Sequence, residues 1–342
     1  MPELDITLLD LDDATVVGEW FALRERSFAL DLPDDPAPDR DDVITSITHP
    51  RPGLVPEEWV ALLDGHVVAS MRLGFHTIEN RHIAQVGGCV DPGHRRRGIG
   101  RALWNHALDR MRAKGCTVVQ ATAFVPAEGG ADRDRNGSDF LTAMGAEVKL
   151  HEVRRRVELS TVDEEANGAL LADAWNHAEG YELRRWVNFT PADLIDDVAY
   201  LDGRVLTDSP TGELDVEAFK VDAARVRDAE AAAAARRRVG IHVALVHAES
   251  GRVAAWSCLA HGADHKGFAS HGVTIVDPDH RGRRLGTVVK LELHRYAKAV
   301  TPGLRVVDTY NAADNGHMIR INELVGFRPL DAVAEFQGDV KP

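Results

Sequence analysis

Residues 90–103 read VDPGHRRRGIGRAL, and the reading of this stretch decides the reading of the whole chain. Ahead of it, Ile83 to Val90 is a mostly apolar run that Pro92 and Gly93 stop, the pattern of a buried strand and its turn. Beyond it, apolar residues fall at Ile99, Ala102, Leu103, Ala107 and Met111. Arg101, Asp109, Arg110 and Arg112 occupy the other side, as on a helix with one buried face. The basic loop therefore ends at a helix N-terminus, where unpaired NH groups and the macrodipole favour an anion. Gly98 and Gly100 let that anion approach without a Cβ in the way, and Arg95, Arg96 and Arg97 add charge. A diphosphate suits such a cradle, whereas three arginines alone would read as a solvated face.

A second copy decides between the two. Residues 276–289 read VDPDHRGRRLGTVV, again after an apolar run and again entering a helical pattern. Asp91, Pro92, His94, Arg95, Arg97 and Gly100 recur as Asp277, Pro278, His280, Arg281, Arg283 and Gly286 at one constant offset, which marks an internal repeat.

Arg95-x-x-Gly98-x-Gly100 resembles the Arg/Gln-x-x-Gly-x-Gly/Ala signature of the GNAT superfamily of N-acyltransferases, and the whole chain resembles a tandem GNAT protein. The resemblance implies that acetyl-coenzyme A is held by Val90, Arg95, Arg96, Arg97, Gly98, Ile99, Gly100 and Arg101. In the second copy the matching set is Val276, Arg281, Gly282, Arg283, Arg284, Leu285, Gly286 and Thr287, with Arg284 where the first glycine is expected. Asn311 and Asn315 resemble positions that meet the cofactor or cap the following helix. The reaction so implied is acetyl transfer to the primary amine of a small molecule. A backbone NH near Val90 or Val276 would polarise the thioester, and the pantetheine would lie like an added strand between the strands flanking the motif helix.

The family's usual acid is a tyrosine just before a Gly-Phe pair. Here that place holds Asn322 in the second half and Leu141 in the first. Tyr310, at a strand end, is an alternative acid, and His271, leading into the second motif, is a candidate base with a suitable unperturbed pKa. A packed strand tyrosine and a strand-end histidine are the structural alternatives. The missing tyrosine in both copies keeps open a different class, an acyl-coenzyme A-binding or sensing module in which one or both halves are degenerate.

The 342 residues accommodate two such domains, expected at 1–160 and 161–342, each α/β (mixed α+β): a twisted mixed sheet flanked by helices. A net charge of −14 argues against nucleic acid as a partner and favours a cationic acceptor, with the aspartates of the 31–42 loop as its attraction. Cys89, Cys116 and Cys258 are too scattered for a disulfide framework. The N-terminal residues do not resemble a signal peptide, and no apolar run reaches membrane-span length, so a cytoplasmic protein is expected. His261, His265 and His271 lack a recognisable ligand spacing, and no metal is expected. The intervening chain reads as a mobile loop or broken helix over 32–56, a hairpin at Asp64-Gly65, and a closing strand over 147–159 whose Arg154, Arg155 and Arg156 suit a solvated edge. Helices are expected over 170–206 and 216–237.

Overall fold

The stretch at 90–103 and its copy at 276–289 occupy matching places along one continuous sheet. The computed structural model describes residues 4–264 and 267–341. The first half runs β1 (Leu4–Leu8), α1 (Ala14–Asp31), α2 (Arg40–Thr48), β2 (Leu54–Leu63), β3 (His66–His76), β4 (Ile83–Val90), α3 (Ile99–Ala113), β5 (Val118–Val125), α4 (Asn136–Ala143) and β6 (Glu147–Glu158). The second half opens with α5 (Glu164–Trp175), β7 (Tyr181–Val187), α6 (Ile195–Gly203), α7 (Val205–Asp208) and α8 (Ala223–Ala235). It continues through β8 (Arg238–His247), β9 (Val253–Gly262), β10 (Phe268–Val276), α9 (Leu285–Val300), β11 (Val306–Ala312), α10 (Gly316–Val325) and β12 (Arg328–Asp339).

Local chemistry sets many of these boundaries. The side chains of Asp13, Asp39, Asp163 and Asp222 accept from the first-turn NH groups of α1, α2, α5 and α8. Asp64 and Gly65, at φ 52° and 82°, make the tight turn between β2 and β3.

The strand order is β1-β2-β3-β4-β5-β12-β6-β11-β10-β9-β8-β7. Among the described residues only β4 with β5 and β10 with β11 run parallel. The closing strands are exchanged: β12 of the second half pairs with β5 of the first, and β6 of the first half pairs with β11 of the second. Packing follows the same exchange. Phe336 of β12 lies in the core of the first half, and Val157 of β6 in that of the second. Burying a phenyl ring contributes about 2–3 kcal/mol, so side chains as well as ladder bonds hold the exchange. Along the chain β6 ends at Glu158 and α5 begins at Glu164, while within the sheet the two halves are joined.

Helices cover both faces. One face carries α3 and α9 over the two main cores; the other carries α1, α2, α6 and α8. Two helical expectations are corrected. Within 170–206, residues 181–187 form the edge strand β7, isolated by Gly180 and Asn188 at positive φ and paired with β8. Within 216–237, only Ala223–Ala235 is helical. Residues 212–220 instead strap the first half: Glu213 NH donates to Lys149 O (3.1 Å), Asp215 NH to Gln337 Oε1 (3.0 Å), Glu217 NH to Asn80 Oδ1 (2.6 Å) and Lys220 NH to Glu79 Oε1 (2.8 Å). Those tertiary bonds outweigh the weak local preference for helix.

The arginines of β6 are not on a solvated edge either. The exchange makes β6 a central strand, and Arg154 is 1% exposed. Its guanidinium donates to both oxygens of Asp331 (2.7 and 2.5 Å) and to Asp35 (2.5 Å), while Arg156 donates to Asp308 and Asp35. Arg133 bridges Asp331 and Asp34. The aspartate loop after α1 is thus tied down across the centre of the sheet, and its residues 40–48 form α2.

Candidate functional site

Each half contains a fork. β4 and β5 pair only from Ile83–Val118 to Val86–Ala121, and then Gly87–Val90 and Thr122–Val125 diverge. β10 and β11 pair only from Phe268–Val306 to Ser270–Asp308 before they separate. Parallel strands that part in this way leave unpaired ladder groups facing each other, suited to an extended ligand arm. The second fork adds a bulge: β9 and β10 lose register between His271 and Thr274, and Gly272 and Val273 lie in the extra turn of chain.

A basic loop stands at the mouth of each fork, and the two backbones match. Arg96 and Gly98 have φ 62° and 85°; Gly282 and Arg284 have φ 80° and 55°. Each copy has one glycine and one arginine at the two left-handed positions, with their order reversed. Arg284 thus adopts the turn that Gly98 makes and does not crowd it. Gly100 and Gly286 abut Phe140 and Ile321 across the first helical turn.

The charges differ more than the backbones. Arg95 donates to Val90 O (3.2 Å) and pairs with Asp31; Arg281 donates to Val276 O (3.4 Å) and pairs with Asp208. Those two arginines brace the loop. In the first copy Arg96, Arg97 and Arg101 are exposed and have no hydrogen bond or ion pair among the described residues. In the second, Arg284 is paired with Asp173 of α5, Thr287 is buried where Arg101 is exposed, and Arg283 lies over the Tyr181 ring. The first loop therefore keeps more free positive charge for an anion.

The catalytic candidates fall on opposite faces. Tyr310 stands opposite Arg154 on the α1 and α6 face, 37% exposed, its phenol pushed up to about 12 by burial. His271 lies on the α9 face, with Nε2 at 3.0 Å from His294 Nε2 and its ring against Phe327. Burial, then the neighbouring Lys290 and His294, holds its pKa well below the ordinary value. Asn322 is fully buried on that side too, accepting from Lys290 Nζ and donating to Asn311 Oδ1 (2.9 Å). Asn311 also accepts from Arg155 (3.3 Å), and Asn315 caps α10 through Met318 NH (3.2 Å). His271 pairs with His294 and Asn322 with Lys290 and Asn311, all buried on the α9 side, where burial lowers the Lys290 ammonium to about 7; Tyr310 is not among them.

Two groups were invisible to a reading confined to one half. Glu335 of β12 stands opposite Thr122 of β5, and Glu152 of β6 stands opposite Val333, itself opposite Phe124. Cross-strand partners share a face, so both carboxylates lie on the α1 side, Glu335 beside the first fork and Glu152 on the next strand, between Val333 of β12 and Ala312 of β11. Neither has an ion pair among the described residues. Only a signal that β12 crosses to β5 would have found them. No cluster of metal-ligating side chains occurs among the described residues; His265 lies outside them.

Residues 19–130 match the model of the Acetyltransferase (GNAT) family, so the first half carries a GNAT acetyltransferase domain. The architecture of the chain as a whole is similar to that of a tandem GNAT protein. The chain is similar over 99% of both chains, at 29% identity and a TM-score of 0.85, to a tandem GNAT protein from the clavulanic acid biosynthesis pathway, solved without acetyl-coenzyme A. It shares its fold with a GCN5-related N-acetyltransferase from Sphaerobacter thermophilus at 15% identity, 99% and 96% coverage and a TM-score of 0.65. Among curated protein sequences none matches.

Proposed function

We propose that the protein transfers the acetyl group of acetyl-coenzyme A to the primary amine of a small, cationic molecule. The observation that carries this reading is the pairing, in both halves, of a strand fork with a basic left-handed loop at a helix N-terminus. The residues present fit the cofactor: a Cβ at Gly98 or Gly282 would meet nothing within 4 Å, so the loops are open cradles, and the first keeps Arg96, Arg97 and Arg101 free for phosphate. Acetyl-coenzyme A supplies an activated thioester. In this reading the first loop and the α3 N-terminus hold its diphosphate, the fork aligns its arm, and Gly87 to Val90 present backbone NH groups to the carbonyl. Val276 and Arg281 to Thr287 take the equivalent place in the second half, with Asn311 beside the fork and Tyr310 on its acceptor face.

Support for a cationic acceptor comes from Glu335 and Glu152, not from the 31–42 loop, whose Asp31, Asp34, Asp35 and Asp42 are occupied by Arg95, Arg133, Arg154, Arg156, Arg236 and Arg238. The test is calorimetric titration with acetyl-coenzyme A together with thiol release on adding spermidine, glucosamine or butylamine. Binding and amine-dependent thiol release are expected; binding without thiol release from any amine would favour a sensing module.

A further inference from the structure

We propose that Glu335, carried from the second half on β12, is the general base of an acyl-transfer centre at the first fork, with Glu152 as the residue that tunes it. The inference rests on the acetyltransferase reading and deepens it. Glu335 is on the strand next to β5, opposite Thr122, where the divergence of β4 and β5 begins. Thr122 and Gly87 are exposed there, so solvent and an acceptor reach this corner.

The second fork provides an internal comparison. Its matching strand pair is β11 and β6, and the residue opposite Tyr310 is Arg154. That corner is filled by Arg154, Arg156, Asp308, Asp331 and Asp35, which neutralise one another. The first corner has the Glu335 carboxylate and no cation on β5 or β12, and Glu152 of β6 lies diagonal to it across the β12–β6 pair. Phe124 stands between the two corners, with the Arg154 guanidinium 5.0 Å from its ring centroid.

Burial, and then the charge of Glu152, raises the Glu335 carboxyl to about 7, and burial raises Glu152 as well. The other charged groups facing this corner are few. β4 and β5 present Gln85, Cys89, Gln120 and Thr122; β3 presents Arg72, which is paired with Glu58; the strap presents Asp215, near His82; β6 and β12 beyond Phe124 present the neutralised Arg154 and Asp331. A carboxyl that titrates near neutrality is matched to removing a proton from an alkylammonium ion and releasing it again.

The step balances. Ionised Glu335 takes one proton from the ammonium, directly or through one water, and leaves the nitrogen lone pair free. That pair attacks the thioester carbonyl carbon, a C–N bond forms, the C–S bond breaks, and the departing thiolate takes the second proton shed by the nitrogen. Glu335 then returns its proton to solvent.

The experiment uses the full chain with acetyl-coenzyme A and spermidine, following thiol release from pH 5.5 to 9 for the wild type, Glu335→Gln, Glu335→Asp and Glu152→Gln. The wild type should lose kcat/KM as pH falls through about 7. Glu335→Gln should lower kcat by 10²- to 10⁴-fold and abolish that limb, with calorimetric acetyl-coenzyme A affinity and near-ultraviolet circular dichroism unchanged. Glu335→Asp should keep part of the rate and the limb, and Glu152→Gln should move the limb to lower pH. Turnover of Glu335→Gln within a few-fold of wild type, or an unmoved limb, overturns the proposal while leaving the acetyltransferase reading intact. A wild type that binds acetyl-coenzyme A but acetylates no amine overturns both.

Discussion

Replacing Arg154 by Met tests whether the centre of the sheet is held by charge. Arg154 is 1% exposed, and Asp331 and Asp308, both fully buried at their side chains, share it with Asp35. Methionine removes the cation and leaves two buried carboxylates with only Arg133 and Arg156 as partners. Breaking one side of such a set costs about 3–5 kcal/mol, most of it from the charges left behind. Because β6 pairs with both β11 and β12, the loss should be felt in both halves together. The assay is equilibrium urea unfolding of the full chain by tryptophan fluorescence, which reports Trp20, Trp59 and Trp104 in one half and Trp175, Trp186 and Trp256 in the other. One transition, shifted to lower urea, is expected. Adding Asp331→Asn should restore part of the loss. A cost below about 1 kcal/mol, or one half unfolding alone, would refute the reasoning.

Other outcomes follow from the same structure. Changing Arg96, Arg97 and Arg101 together to Gln should weaken acetyl-coenzyme A binding at the first half far more than changing Arg283 and Arg284 weakens binding at the second, and the affinity lost should shrink as salt rises; calorimetry on each variant checks it. Burial lowers Lys290 from 10.5 to about 7, so between those values the unfolded chain binds more protons and stability should rise with pH. Lys290→Met should therefore gain stability relative to wild type at pH 6 and lose that advantage by pH 10, measured by urea midpoints. Residues 1–160 expressed alone should not fold, because β5 then lacks β12; mixing them with 161–342 should restore the circular dichroism of the full chain.

The duplicated motif carried its own location, the loop backbone and the strand before it, because a strand stop, glycines and helical spacing are local signals. The left-handed turn at Arg284 was not legible, since an arginine can take that conformation when a neighbouring Asp173 holds its side chain. Nor was the burial of Arg154. Three consecutive arginines suit a solvated edge strand, and only the exchange, which sets β6 between β12 and β11, buries that strand in the centre of the sheet. Residues 212–220 gave no local sign of strapping the first half, because their partners Lys149, Asn80, Glu79 and Gln337 are distant in sequence.

That exchange also bears on how the two halves divide their work. Near its own fork the first half supplies Gly87, Gly88, Cys89 and Leu141, none of them an effective proton carrier. Once β12 lies against β5, the first corner gains Glu335, while β6 in return gives the second corner Arg154 and its aspartates. The same crossing therefore leaves one corner with a carboxylate and no cation on its own strands and fills the other with a closed ion-pair set. Duplicated halves with matching loops need not have matching chemistry, because the strand that completes each corner belongs to the other copy. A change on β12 is accordingly expected to register at the first fork, and a change on β6 at the second.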